Sequence, residues 1–74
     1  MSKKEKPIGL IIRQLRENAE ISQEELASRA AIHRTYVSQL ERGIKSPTIA
    51  VLQKLAHALG TTASEILRAM EGQL

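Results

Sequence analysis

The side chains best suited to chemistry in this sequence lie in residues 34–42, where polar groups recur at helical spacing. At about 100° per residue, one face of such a helix holds Arg34, Thr35, Ser38, Gln39 and Arg42. Arginine and glutamine can form paired hydrogen bonds with the edges of nucleic-acid bases, and serine and threonine can add single ones. Because any amphipathic surface helix has a polar face, these residues alone leave two interpretations open: contact with bases and simple solvation.

The opposite face of the same helix is apolar. It carries Tyr36, Val37 and Leu40, and Glu41 lies at its boundary with the polar face. We expect this face to pack against neighbouring helices. Tyr36 is the only aromatic residue in the chain. Its position on the helix favours packing in the core or at its rim over a contact made by its hydroxyl group.

Residues that could support catalysis or bind a metal are sparse. The chain has no cysteine and no aspartate, which excludes disulfides, thiolate zinc sites and an EF-hand loop. Its two histidines, His33 and His57, are 24 residues apart and lack local metal-ligand spacing. Serine, glutamate and histidine form no recognisable pair of nucleophile and base. We therefore expect no enzyme activity, metal or cofactor, and no small-molecule ligand is evident.

Length and charge limit the kinds of partner that the protein can bind. A chain of 74 residues forms one domain, predicted here as residues 8–74 after a basic arm at 1–7. The formal charge is +3, but residues 1–16 carry five basic side chains against one glutamate, whereas residues 17–74 carry six against seven. Attraction to a polyanion is expected mainly at the arm and the first helix. Base recognition cannot be inferred from net charge.

The sequence has no apparent membrane or secretory segment. Its longest apolar runs are three or four residues, such as 9–12, against the roughly 20 residues that a membrane span needs. The lysines near the start precede no apolar stretch of the kind found in signal peptides. The default expectation is a cytoplasmic protein without a membrane partner.

Apolar periodicity predicts five short helices and no strand. Ser22 and Thr48 can cap the second and fourth helices. The pairs Ser22/Glu25 and Thr62/Glu65 have the spacing of a capping box. The predicted helices cover residues 8–19, 23–30 and 34–41, a stretch that begins after Thr48 and ends at Gly60, and a stretch that begins after Thr62 and includes Met70.

Only about three residues connect the second and third predicted helices. This spacing is typical of a helix-turn-helix, in which the second helix of the pair lies in the major groove of DNA. The five helices together predict a compact all-α domain. The polar face at 34–42 belongs to the helix that would enter the groove, here called the reading helix.

Four segments of the chain resemble a known family. They are SQEELA at 22–27, YVSQLERG at 36–43, SPT at 46–48 and LAHALG at 55–60. In this order they resemble the Cro/phage-repressor-type helix-turn-helix family, also called the xenobiotic-response-element family, over about residues 8–70. The resemblance implies a lambda-repressor-like DNA-binding domain. The fragment HRTY at 33–36 is similar to controller proteins of restriction-modification systems.

The resemblance also implies roles for the matching residues. Base edges would be contacted by Arg34, Thr35, Ser38 and Gln39. DNA phosphates would be contacted by Gln23, His33, Tyr36, Arg42, Lys45, Ser46 and Thr48, and Gln23 would also brace the reading helix.

Two further positions bear on how the reading helix is held. Arg16 and Glu41 match a pair that forms a structural salt bridge in this family and ties the first helix to the end of the third. Ala31 stands in the turn where the family usually has glycine. That position tends toward positive φ, where alanine costs about 1–2 kcal/mol more than glycine. The pose of the reading helix therefore depends on how the turn accommodates Ala31.

The family resemblance implies a transcriptional regulator that binds a double-stranded, palindromic or nearly palindromic operator as a homodimer. Its two reading helices would lie about 34 Å apart. Regulation would follow protein concentration, with binding to its own promoter as one route. Repression by blocking RNA polymerase and activation by contacting it both remain open.

The end of the chain is the expected dimer surface, formed by Ile66, Leu67, Met70 and Leu74. The same side chains could instead complete the core of a single subunit. A competing class is an antitoxin-like protein-interaction module in which DNA binding is secondary. In such a module, changes at Leu67 or Met70 would destroy function, whereas Arg34→Ala and Gln39→Ala would leave it intact.

Overall fold

Short connections join the helices of this chain. The structure, a computed structural model, describes residues 7–72, so residues 1–6 of the predicted arm and the dimer contact predicted at Leu74 lie outside the described residues. The bounds predicted for the second and third helices agree with the structure, and the first helix ends one residue earlier than predicted. The described helices are α1 (Ile8–Asn18), α2 (Gln23–Ala30), α3 (Arg34–Glu41), α4 (Ile49–Ala58) and α5 (Ala63–Met70).

Hydroxyl side chains begin three of the helices. The Ser22 Oγ accepts a hydrogen bond from the Glu25 backbone N–H at 2.9 Å, and the Thr48 and Thr62 hydroxyls make equivalent bonds at 3.1 Å. These bonds satisfy backbone donors that a helix cannot satisfy by itself. The Glu25 carboxylate accepts from Arg29 Nε at 2.8 Å. Of the two hydrogen bonds of the capping box predicted at Ser22, the structure shows the one to the Ser22 hydroxyl, while the Glu25 carboxylate is bonded to Arg29 instead.

The turn between α2 and α3 contains a strained residue. Ala31 has φ 57° and ψ 45°, which is the left-handed conformation. Its backbone N–H donates to Ala27 and Ser28, and the next N–H, that of Ile32, donates to the Ala27 carbonyl at 3.0 Å. The turn thus keeps the geometry usual for glycine although alanine occupies the position. The turn therefore contains the strained conformation of Ala31, and three residues separate the end of α2 from the start of α3.

Two apolar clusters form the core, and α1 contributes to both. The first contains Ile12, Leu26 and Leu55 together with Val37 and Leu40 from α3, each 0–1% exposed. The second consists of Ile11, Leu52, Ala56 and Ile66. Because the consecutive residues Ile11 and Ile12 enter different clusters, α1 packs between the two clusters. The first cluster holds α3 by its apolar face, as the sequence predicted, and half-buried Tyr36 packs against its rim.

The prediction that Ile66 lies at a dimer surface is wrong. Its side chain is 1% exposed and packs with Ile11, Leu52 and Ala56 in the second core cluster. A side chain that is already buried within one subunit has no surface to offer to another. For Ile66, the second possibility drawn from the sequence, completion of the core of one subunit, is the one observed.

We predict that Ala31→Gly will raise the free energy of unfolding by about 1 kcal/mol, because glycine adopts the left-handed conformation without the clash that alanine suffers. Urea denaturation monitored by circular dichroism measures the change. The matched control is Ala50→Gly, at an exposed position in α4, where the same exchange should lower stability by up to about 1 kcal/mol. A loss of stability in both variants would contradict the geometry of the turn.

Candidate nucleic-acid interface

One side of α3 is accessible while the other is fixed in the core. Arg34 and Thr35 are exposed at its start, and Ser38 and Gln39 are half-buried one turn later. On the reverse side, Val37 and Leu40 leave almost no surface to solvent. The four residues predicted to contact bases are therefore grouped on the outer face of a helix that its core contacts hold in place.

The loop after α3 is tied to the end of that helix. The Gln39 carbonyl accepts hydrogen bonds from the backbone N–H groups of Ile44 and Lys45 at 2.9 and 3.3 Å. Gly43, with φ +78°, makes this reversal possible. Lys45 and Ser46 are exposed in the loop, and Arg42 is exposed at the end of α3. These predicted phosphate-contact residues thus extend the outer face of the reading helix.

The remaining predicted phosphate contacts are spread around the two ends of α3. His33 is exposed at its N-cap, without a side-chain capping bond, and Tyr36 is half-buried. Thr48 is exposed, and its Oγ1 accepts the capping bond of α4 while the hydroxyl hydrogen stays available to donate. Gln23 is already engaged within the protein, since its Nε2 donates to Glu41 Oε1 at 3.0 Å.

The salt bridge implied for Arg16 and Glu41 is present. Arg16 Nε donates to Glu41 Oε2 at 2.7 Å and its Nη2 donates to Glu41 Oε1 at 3.0 Å, while its Nη1 donates to the Ile21 carbonyl at 2.9 Å. The Glu41 side chain is only 3% exposed and that of Arg16 is 13% exposed. With the bond from Gln23, this network joins α1, the start of α2 and the last residue of α3.

The hydrogen bonds to Glu41 raise the pKa of the Arg16 guanidinium above its ordinary value, against the opposing effect of burial. A raised pKa in the folded state contributes stability that is complete below the pKa of the unfolded chain and is lost only as the pH rises through the higher folded value. The Arg16 side of the ion pair therefore stays charged throughout the physiological range. The Glu41 charge is neutralised internally and does not lie on the outer face of α3.

Within residues 17–74, whose basic and acidic side chains nearly balance, the two kinds of charge occupy different segments. Residues 17–41 carry two arginines against five glutamates, whereas residues 42–64 carry Arg42, Lys45 and Lys54 and no acidic side chain. A count by element, rather than by halves of the chain, would have revealed this from the sequence. The loop after α3 and the α4 helix therefore form a basic stretch directly beyond the reading helix.

Other kinds of site are not prominent in the part of the chain described, residues 7–72. No three histidine or acidic side chains come together there to hold a metal ion. No helix in that range is long and apolar enough to cross a bilayer. A groove of about 210 Å³ between α1 and α5 is lined by Ile11, Leu15, Thr61, Glu65, Ile66 and Ala69.

Two helices joined by a three-residue turn, the second with an accessible polar face, define a helix-turn-helix protein. A family model described as helix-turn-helix matches residues 12–66. The chain belongs to this family, in its Cro/phage-repressor-type branch. The match includes the turn at Ala31 and the whole of the reading helix.

Individual relatives agree with this assignment. The chain is 42% identical over 66 residues to an uncharacterised helix-turn-helix transcriptional regulator of Mycobacterium tuberculosis. The aligned residues make up 89% of this chain and 46% of that protein. The chain therefore spans about half the length of that relative. Among solved structures it is similar to the restriction-modification controller protein C.AhdI from Aeromonas hydrophila (TM-score 0.79, 35% identity, covering 81% of this chain and 91% of that one). It is also similar to SinR of Bacillus subtilis, a master regulator for biofilm formation, solved in complex with DNA (TM-score 0.77, 33% identity, 81% and 97%).

We predict that Glu41→Gln will lower the free energy of unfolding by about 3–5 kcal/mol, because it leaves the nearly buried Arg16 charge without its partner. Thermal and urea denaturation measure the loss. Glu17→Gln is the matched control, since the Arg13–Glu17 pair is more than half exposed on both sides and should contribute less than about 0.5 kcal/mol. Equal effects of the two substitutions would show that the Glu41 network does not support the fold.

Proposed function

We propose that this protein is a transcriptional regulator that reads a two-fold symmetric DNA operator through the outer face of α3. The observation that carries the proposal is the grouping of Arg34, Thr35, Ser38 and Gln39 on the accessible side of a helix whose other side is locked into the core. Base recognition requires side chains on a rigid element, because small displacements break paired hydrogen bonds.

Each side chain on this face has a base that suits it. Arg34 can form two hydrogen bonds with O6 and N7 of guanine, and Gln39 can pair in the same way with N6 and N7 of adenine. Thr35 and Ser38 can each make single hydrogen bonds, and the Thr35 methyl group can contact the methyl group of thymine. These four side chains supply the sequence preference of one half-site.

The surrounding residues hold the protein in register on the DNA backbone. Arg42, Lys45 and Ser46 follow the reading helix, and no acidic residue lies among them to repel phosphate. The Thr48 hydroxyl, His33 and Tyr36 add contacts at the edges of the groove. Gln23 serves two purposes, since its amide has two N–H groups: one is bonded to Glu41, and the other donates to a phosphate. Such contacts fix orientation without carrying sequence information.

A second copy of the chain supplies the second reading helix. The dimer surface includes Leu67, which is 40% exposed, and half-buried Met70. The groove between α1 and α5 lies beside these residues and is lined mainly by apolar side chains. In such a dimer, the two reading helices lie about 34 Å apart, which is one turn of DNA.

The regulator acts in the cytoplasm and responds to its own concentration by binding its own promoter. It either blocks RNA polymerase there or contacts it. The relatives support this direction, since one is a restriction-modification controller and another was solved on DNA.

Selection of bound sequences from random duplex DNA, followed by affinity measurements across salt concentrations, tests the reading function. The expected result is a two-fold symmetric site and a steep fall of log affinity with log salt concentration. Arg34→Ala should cost about 1–3 kcal/mol of binding free energy and relax the preference at one base pair of each half-site. Lys45→Ala should weaken all sequences alike. Binding that is indifferent to sequence would overturn the proposal.

Sedimentation of Leu67→Glu tests the dimer surface, because a charge placed there should turn the dimer into a monomer at tens of micromolar. Leu10→Glu is the control, since Leu10 is 38% exposed on α1 and is not part of the proposed surface; that variant should remain dimeric. A wild-type protein that stays monomeric even with its selected operator would contradict dimer formation. Dimers in both variants would place the interface elsewhere.

A further inference from the structure

The backbone of α1 passes very close to the end of the reading helix at Gly9. Gly9 is buried, and the carbonyl group of Leu40 already fills the place that a side chain would take. A Cβ atom on Gly9 would overlap the Leu40 oxygen, and it would lie 3.0 Å from the Leu40 carbonyl carbon and 3.1 Å from the Glu41 oxygen. All three are backbone atoms, so no rotation of a side chain could make room for it.

Conformational freedom does not explain the glycine at this position. Gly9 lies within α1, and the glycines of the described chain that have positive φ are Gly43, Gly60 and Gly72. In an ordinary helix, alanine is a better residue than glycine. The close approach of the two backbones is therefore the physical reason for a glycine here.

The backbone contact at Gly9 and the ion pair at Arg16 both join α1 to the end of α3, in addition to the packing of Ile12 with Leu40 in the first core cluster. Arg16 lies seven residues further along α1, which places it on the same face and roughly 10 Å away along the helix axis. Glu41 touches both points: its backbone oxygen lies near Gly9 and its carboxylate bonds to Arg16. Together with the core contacts of Leu40, these two contacts fix the direction of the final turn of α3.

We propose that Gly9 is a positioning residue for base recognition, which sets where the final turn of α3 carries Gln39 and Ser38. The inference rests on the proposed function, because it concerns the aim of the reading helix. Gln39 immediately precedes Leu40, whose carbonyl group contacts Gly9. Arg34 lies at the opposite end of α3, beside the turn at Ala31, and is further from this contact.

The size of the displacement decides the outcome of a substitution. To admit a methyl group at Gly9, the last turn of α3 must retreat by a distance on the order of 1 Å, whereas a recognition site tolerates only about 0.5 Å. Leu40 shares the first core cluster with Leu26 and Leu55, whereas the second core cluster contains no residue of α3. Gly9→Ala is therefore expected to lower stability but to keep the helical fold, while it moves Gln39 away from its base.

The test compares Gly9→Ala with Gln39→Ala and Arg34→Ala on the operator selected by the wild-type protein. Gly9→Ala should lose about 10- to 100-fold in operator affinity and change less than about two-fold on unrelated DNA. When each base pair of the half-site is varied in turn, its preference should relax at the position that Gln39→Ala relaxes and not at the one that Arg34→Ala relaxes. A purely structural role would lower the folded fraction and weaken all sequences alike.

Ile66→Val is the stability control, because it trims the second core cluster without touching α3 and should leave the preference unchanged. Circular dichroism gives the folded fraction of each variant, in trimethylamine oxide if needed, since this osmolyte favours the folded state. The inference is overturned if Gly9→Ala keeps the full preference, if it weakens all sequences alike, or if it does not fold under those conditions. A wild-type protein without any sequence preference overturns the proposed function as well.

Discussion

The nearly buried carboxylate of Glu41 is the constraint on which the reading surface depends. A charge that is 3% exposed is tolerated only when it is paired and hydrogen-bonded. Arg16 and Gln23 meet this requirement with three hydrogen bonds from two different helices. Because Glu41 is the last residue of α3, satisfying its charge also fixes the end of the reading helix. The apolar contacts of Val37 and Leu40 secure the rest of that helix against the core.

Much of this arrangement could be predicted from the sequence because its determinants are local. The starts of α2, α4 and α5 follow from hydroxyl caps that act within three residues, and the buried face of α3 follows from its periodicity. Ala31 shows the limit of local propensity: alanine disfavours the left-handed conformation, yet Ala31 adopts it, with its N–H and that of Ile32 bonded to the end of α2. The Arg16–Glu41 pair, 25 residues apart, was predicted only through the resemblance to a family.

Other features depended on tertiary contacts that no local pattern encodes. Ile66 and Leu67 are adjacent on a short amphipathic helix, and only the packing of α5 against α1 and α4 decides that Ile66 is buried and Leu67 exposed. The bond from Gln23 to Glu41 and the contact of Gly9 with Leu40 join residues 18 and 31 positions apart. The basic stretch at 42–64 was readable from the sequence, but its place beside the reading helix becomes evident only in the fold.

Two surfaces contribute differently to the proposed binding: the loop beyond α3 and the outer face of α3. In the proposed function, the loop beyond α3 attracts phosphate through charge, and the outer face of α3 discriminates between bases through the kind and angle of its side chains. Methylation of guanine N7, which faces the major groove, tests this division most directly when it is mapped on the selected operator. We predict that methylation blocks binding at two clusters of guanines about one helical turn apart, on one side of the duplex. Binding that is insensitive to methylation of every guanine in the site would contradict it.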